Sequence, residues 1–486
     1  MLTIDEIKKF LEQDEASEIK KAAREGQRYY DGRHDILDYR MFYWNADGKL
    51  VEDTTRSNAK IPHPFFTELV DQPVQHILSN ADGIFKSDDP ALQKQLDLYF
   101  NDNETFIAEL SETITGMQAK GCDYMYCYKG EDNRLTFENA DCLGVVEVEG
   151  RFAEDGKHQY IYRYVDRIDA DGKMQQKILV MDDENIYYYK QTDKGEIEFD
   201  DSVELNPKPH FVYKDEKTGK LYTRTGDLKF VPMFRLENNK KKKGHLNTVK
   251  ALIDDYDIMA SSLSNNLIDF DTPIHVVKGF HGDNLDELQT NLKTKKLIGV
   301  DENGGIEVHT VDVPYQARQA KLELDEKNIY RFGMGLNMAG LKDTSATTNI
   351  AIKAAYSLLE LRCGKIMIQL RKFFRQILKV VIDEINLNEG TDYQPSMVYF
   401  SFEPEIMSNA QENAQIKLVE AQEQQTRINT LLTLADRLDN EMLAEQIAEV
   451  LDLDYEEVKD RMKNPDEAIE NLEGARTLID GIAVEE

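Results

Sequence analysis

Between Ile350 and about Ile385, apolar residues recur at helical spacing: Ile350, Ala354, Ala355, Leu358, Leu361, Ile366, Leu370, Phe373, Ile377 and Val381 form one stripe. Leu359, Met367, Phe374, Leu378 and Val380 widen it. The segment holds no proline and a single glycine. The pattern therefore predicts one helix of about 50 Å, far longer than usual. So broad an apolar face needs neighbours on more than one side. Lys353, Glu360, Arg362, Lys365, Arg371, Lys372, Arg375 and Lys379 interrupt every window of the roughly 18 apolar residues that a membrane span requires, which argues against a span.

A second helix is predicted ahead of it, from Tyr315 to Phe332, mostly polar, with Ala317, Ala320, Leu324 and Ile329 as a narrow apolar stripe that suits one packing neighbour. Between the two lies a stretch that cannot be helix. Gly333, Gly335 and Gly340, with Asn337, permit backbone angles that other residues resist. Asp343, Thr344, Ser345, Thr347, Thr348 and Asn349 then supply turn and cap chemistry.

The earlier chain reads as helix over residues 1 to about 30, ending at the aromatic turn Tyr29-Tyr30-Asp31-Gly32. A hairpin follows, with Tyr39 to Trp44 and Leu50-Val51 flanking Asn45-Ala46-Asp47-Gly48. Helices open at Pro64 and at Glu104. From Cys122 to Tyr213 the period falls to two, with Tyr124, Tyr126 and Tyr128, then Tyr160, Tyr162 and Tyr164, which predicts an antiparallel meander. A helix is expected from Leu246 to Phe270, and a strand, helix, strand module between Pro273 and Val311. After Pro404 the chain turns polar and helical, without a heptad sustained long enough for a coiled coil. The fold class is α+β.

The 486 residues, 41% apolar and 31% charged, are enough for several cores. A formal net charge of −32 argues against a protein that reads nucleic-acid sequence with a basic face. It is compatible with a conduit whose acidic lining lets a polyanion slide. The one strong basic run is Lys240, Lys241, Lys242 and Lys243, read as a solvated face or a phosphate contact. Four cysteines make no disulfide framework, and the N-terminus lacks a signal-peptide pattern, so a reducing cytoplasm is the expected place of synthesis. No phosphate-binding loop of the Gly-x-x-x-x-Gly-Lys-Ser/Thr type is present. Cys122 and Cys127 are expected on opposite strand faces. Asp254, Asp255 and Asp257, or Asp141 with Glu147, resemble nuclease carboxylates only as far as any acidic chain does. His34 and His63 sit beside aromatics and read as structural. No catalytic residue, metal or cofactor is expected.

Several short motifs occur in a fixed order: Ala23-Arg24-Glu25-Gly26-Gln27-Arg28-Tyr29-Tyr30-Asp31-Gly32-Arg33-His34-Asp35-Ile36-Leu37, Asn58-Ala59-Lys60-Ile61-Pro62-His63-Pro64-Phe65-Phe66, Leu252-Ile253-Asp254-Asp255-Tyr256-Asp257, Ser264-Asn265-Asn266, and the run from Ser345 to Leu359. With the helix, loop and long helix, this order resembles the portal proteins of tailed bacteriophages, in the branch typified by the siphophage SPP1. The resemblance implies an N-terminal helix and β-rich wing over 1–240, a stem helix over 241–270, a small β-α-β clip over 271–313 and a second stem helix over 314–334. It further implies a tunnel loop over 335–348, a long helix over 349–386, a wing strand over 387–404 and a helical crown over 405–486.

It also implies a ring of twelve copies at one capsid vertex, in the virion and assembled in the host cytoplasm, through which double-stranded DNA enters and leaves. The implied partners are the terminase motor, head-completion or adaptor proteins, scaffold and major capsid protein, with no membrane. In the loop, Gly335, Asn337, Gly340, Lys342, Thr344, Ser345 and Thr347 would face DNA. Short polar groups and one cation contact a backbone without reading bases. In the clip, Asp283, Asp286, Glu287, Lys293, Lys295 and Lys296 would offer a mixed-charge surface to a motor. The alternatives are a metal-dependent nucleic-acid enzyme with a helical accessory domain and a structural protein that forms no ring.

Overall fold

The computed structural model describes residues 2–130, 134–148, 159–167, 174–192, 195–214, 221–224, 231–270, 274–278, 303–309, 315–337 and 349–402, with scattered positions between 418 and 433. The chain divides into two compact units, Met1–Asn337 with Tyr356–Glu405 and Met338–Ala355 with Ile406–Glu486. Of the second unit, the described residues are helical.

The first unit opens on α1 (Ile4–Glu15) and α2 (Glu18–Tyr30), two helices where a single one is expected from sequence. The break has a local cause. Ser17 turns extended and its hydroxyl accepts from Lys20 N, so it caps the second helix instead of continuing the first. Then come β1 (Phe42–Trp44) and β2 (Leu50–Glu52), paired as the expected hairpin, α3 (Phe65–Leu78), β3 (Phe85–Ser87), α4 (Pro90–Leu96) and α5 (Glu104–Lys120).

The strands β4 (Cys122–Lys129), β5 (Leu135–Ala140), β6 (Val145–Val148), β7 (Gln159–Arg167), β8 (Met174–Met181), β9 (Asn185–Gln191), β10 (Ile197–Phe199), β11 (Lys208–Pro209), β12 (Phe211–Lys214), β13 (Leu221–Arg224) and β14 (Met233–Glu237) build the antiparallel region. One sheet runs β10-β9-β8-β7-β6 with β11 beside β9, and another runs β14-β4-β5. The alternation in β7 explains their packing. Ile161 faces one way, into a core with Ile7 of α1, Ile178 and Val180. Tyr160 and Tyr162 face the other way, against Tyr124, Leu179 and Met233. The middle of the larger sheet is thus buried on both faces, which is why apolar and aromatic residues follow one another there, as in Tyr160-Ile161-Tyr162 and Ile178-Leu179-Val180-Met181.

Helix α6 (Lys250–Phe270) leads to the paired strands β15 (Ile274–Lys278) and β16 (Gly305–His309) and then to α7 (Tyr315–Phe332), whose ends coincide with the sequence prediction. α6 and α7 pack together. Of the stripe expected on α7, Ile329 is buried, but Ala317, Ala320 and Leu324 are exposed, and Asp325 and Tyr330 are buried beside Ile329 instead. Polar pairing aligns the helices: the Lys321 ammonium reaches both Asp255 of α6 and Asp325.

The long helix α8 spans Asn349–Glu389, 41 residues, and β17 (Val398–Phe400) pairs with β3. Leu359, Ile366, Leu370, Phe373, Phe374, Ile377 and Val381 are buried as expected. Leu361, assigned to the same stripe from sequence, is 61% exposed, and Arg362 beside it is 3% exposed. Phe374 joins Phe85, Phe400 and Phe402 in an aromatic cluster that fastens α8 to the β3-β17 pair.

Candidate functional site

The turn that leaves α7 is built in three steps. Gly335 N–H donates to Tyr330 O at 2.9 Å and Met334 N–H to Arg331 O at 3.4 Å, the paired bonds of a Schellman close. That motif requires a left-handed residue between them, and it is Met334, at φ 51°, not a glycine. The glycines serve another purpose. A Cβ on Gly333 would lie 2.6 Å from Leu69 Cδ1, and one on Gly335 2.3 Å from Leu69 Cδ2. They let the turn lie flat on α3, which corrects the expectation that their role is backbone freedom.

Gln72 of α3 then grips the segment at both ends of one residue. Its amide donates to Leu336 O at 2.8 Å and its Oε1 accepts from Leu336 N at 2.8 Å, and the Leu336 side chain is buried. Asn337 donates to Glu326 at 3.1 Å. Tyr330 OH donates to Glu68 at 2.5 Å, and burial, joined by that bond, pushes the phenol far above its usual range.

Behind the turn sits Arg362. Pro73 lies inside α3 and has no N–H, so the carbonyl four residues earlier, Leu69 O, loses its helical donor. Arg362 Nη1 supplies one at 2.6 Å. The same nitrogen reaches Gly333 O at 3.3 Å, and Nη2 donates to Gln118 Oε1 of α5 at 2.6 Å. No carboxylate takes part in these bonds. The guanidinium is held by carbonyls, one of them at the negative C-terminal end of α7. Burial pushes it down to about 9. His245 Nε2 donates to Gly333 O at 2.7 Å, and burial together with the Arg362 charge pushes that imidazole down to about 3, so it is neutral. Four elements, α3, α5, α7 and α8, thus converge on one fixed turn.

Gly335 and Asn337 belong to this turn. Gly340, Lys342, Thr344, Ser345 and Thr347 lie outside the described residues, as do Asp283, Asp286, Glu287, Lys293, Lys295 and Lys296 and the predicted short helix between β15 and β16. Of the basic run, Lys240, Lys241 and Lys243 are exposed, while Lys242 is turned inward to Glu147 at 2.9 Å.

The carboxylates considered from sequence are engaged by side chains of the protein. Asp257 accepts from His34 at 2.7 Å and from His63 at 2.8 Å. Burial raises its pKa, but these bonds outweigh that and hold it below the usual carboxylate range. Asp254 pairs with Lys250 at 2.8 Å and Asp255 with Lys321. Among the described residues, one group has ligand-type atoms close enough for a metal: Asp123, Asp141 and Cys142. The Lys120 ammonium already stands 3.1 Å from Asp123 and 2.7 Å from Asp141, filling the place of a cation.

Arg362, Gln72, Gln118 and His245 were not legible as site residues. Arg362 reads in sequence as a charge that interrupts an apolar face. Two signals together point to it: its spacing within the stripe, three residues after Leu359, and a proline inside a predicted helix, which leaves one carbonyl in want of a donor.

The fold and site describe a protein in which a short polar helix passes through a clamped turn toward a very long helix, and in which the obvious acidic residues are structural. Over residues 9–460 the chain matches the family described as "Phage portal protein, SPP1 Gp6-like", and it belongs to that family. It is 27% identical over 356 residues to the portal protein of Bacillus phage SPP1, covering 72% of this chain and 68% of that protein. Over 191 residues it is 29% identical to the portal protein of Clostridium phage phiCD119, covering 38% of this chain and 41% of that one. Among the described residues no helix is long and apolar enough to cross a membrane.

Proposed function

We propose that this chain is a non-enzymatic subunit of a ring at one capsid vertex of a phage virion, the channel through which double-stranded DNA is packaged and ejected. Family membership across nearly the whole chain is the observation that carries this reading. In it, α6 and α7 are the stem, β15 and β16 belong to a clip that docks terminase and head-completion proteins, and residues 335–348 are the tunnel loop, with Lys342 as its single cation. The clamped turn supports the assignment physically. A loop that meets moving DNA needs a base that does not move with it, and Gln72, Arg362 and the Schellman close provide one. A net charge of −32 per subunit, repeated around a ring, favours sliding over sticking and makes assembly sensitive to ionic strength. An enzyme reading is not favoured, because Asp254, Asp255 and Asp257 are committed to Lys250, Lys321, His34 and His63.

Charge reversal in the loop tests the proposal. Lys342→Glu is expected to leave rings intact and to lower the amount of DNA packaged or retained. Packaging at the unmodified level would remove Lys342 from the DNA path.

A further inference from the structure

We infer that Cys122 and Cys142 form a redox-active dithiol that closes to a disulfide when a two-electron oxidant is supplied. The fold brings the two residues together: Cys122 opens β4, and Cys142 stands two residues past the end of β5, in the turn that leads into β6, where its N–H donates to the carboxylate of Asp123, the residue next to Cys122. Both side chains belong to one buried core, at 5% and 2% exposure. Both also line a single cavity of ≈180 Å³, shared with Lys20, Tyr124, Glu147 and Lys242, so a small reagent has room beside them.

The Cys142 backbone is already fixed. Its N–H donates to Asp123 Oδ1 at 2.7 Å, and its carbonyl accepts from Lys20, whose ammonium also reaches Val145 O at 2.7 Å. The two thiols are unequal. A hydrogen bond from Cys142 holds the Cys122 thiol below its usual range, with Lys242 and Lys20 adding to the effect against burial and Asp123. The same bond, with burial, pushes Cys142 well up. Cys122 is therefore the nucleophile and Cys142 the donor that later resolves the bond. Cys127 and Cys363 offer a contrast within the chain. Burial pushes the first far up and the second up to about 12.

With an azodicarboxamide oxidant the electrons balance as follows. The Cys122 thiolate adds to the N=N bond and forms an S–N bond. The Cys142 sulfur attacks the Cys122 sulfur, the S–N bond breaks, and its electron pair leaves on nitrogen. The protein gives up two electrons, and the two thiol protons end on the hydrazine product.

The test uses the full-length, folded, reduced protein, treated with the azodicarboxamide diamide and then unfolded in an alkylating agent. Intact mass and non-reducing peptide mapping are read on the same sample. The expected result is loss of the mass of two hydrogens, one linked peptide pair containing Cys122 and Cys142, and complete alkylation of Cys127 and Cys363. Cys142→Ala is expected to abolish the linked pair and to leave Cys122 as a mixed adduct. Alkylation of all four cysteines, or linkage of any other pair, would overturn the inference without reference to whether the protein forms rings.

Discussion

Arg362 has unusual surroundings for a buried cation, because its bonds are to two main-chain carbonyls and one amide oxygen. Replacing it with Met keeps much of the volume but leaves Leu69 O and Gly333 O short of donors. The expected loss is about 3 kcal/mol of unfolding free energy by denaturant titration, and a change within about 0.5 kcal/mol would contradict its role as the donor to those carbonyls. Met334 makes the opposite prediction. It stands at φ 51° where glycine is at ease, so Met334→Gly is expected to raise stability by about 1 kcal/mol in the same assay. His245 adds a pH term. Buried beside Arg362 and held neutral, it resists protonation down to about 3, whereas in the unfolded chain it protonates near pH 6.5. Its contribution is whole above about pH 6.5 and is lost as pH falls toward 3. In His245→Gln, whose amide still donates to Gly333 O, stability should fall less steeply between about pH 6.5 and 4 than in the unmodified protein. Equal slopes would mean that His245 is already charged in the fold.

At the scale of elements, the turn after α7 depends on its fit to α3. Adding a methyl group at Gly335 meets Leu69 Cδ2 at 2.3 Å, so Gly335→Ala is expected to cost about 1–3 kcal/mol. In a Leu69→Ala background the cost should shrink, and a double-mutant cycle with no coupling would mean the contact is not the cause. These elements differ in how far the sequence announces them. The ends of α5 and the β1-β2 hairpin follow from the Asn103 cap, Gly121 and turn residues, which act within a few residues. The paired tyrosines of β7 announce a strand by alternation. The packed face of α7 differs from the expected stripe because α6 offers Asp255 to Lys321 at the rim of the contact, and Lys321 in turn pairs with the buried Asp325, which packs where Leu324 is expected. Leu361 and Arg362 exchange expected places for a similar reason: Pro73, nearly 300 residues away in sequence, creates the carbonyl that Arg362 fills. Such pairings are fixed by tertiary contact and leave no periodic trace. Of the candidate loop, only its root at Gly335 and Asn337 falls among the described residues.

For the molecule as a whole, the surface carries a feature that a ring would use. The hairpin β1-β2 exposes Phe42, Leu50 and the single tryptophan, Trp44, the last at 71%, and apolar surface of this kind marks a contact site. If neighbouring subunits cover it, Trp44 emission should shift to the blue as assembly proceeds with rising salt, since screening relieves the repulsion between subunits at −32 each. Function at the vertex depends above all on subunits closing into a ring. Electron microscopy of the purified full-length protein, with native mass spectrometry of the same sample, tests it most directly. A closed ring with a central channel is predicted, with a mass that is a whole multiple of the 56.0 kDa chain. A monomer or dimer at every salt and protein concentration would contradict it.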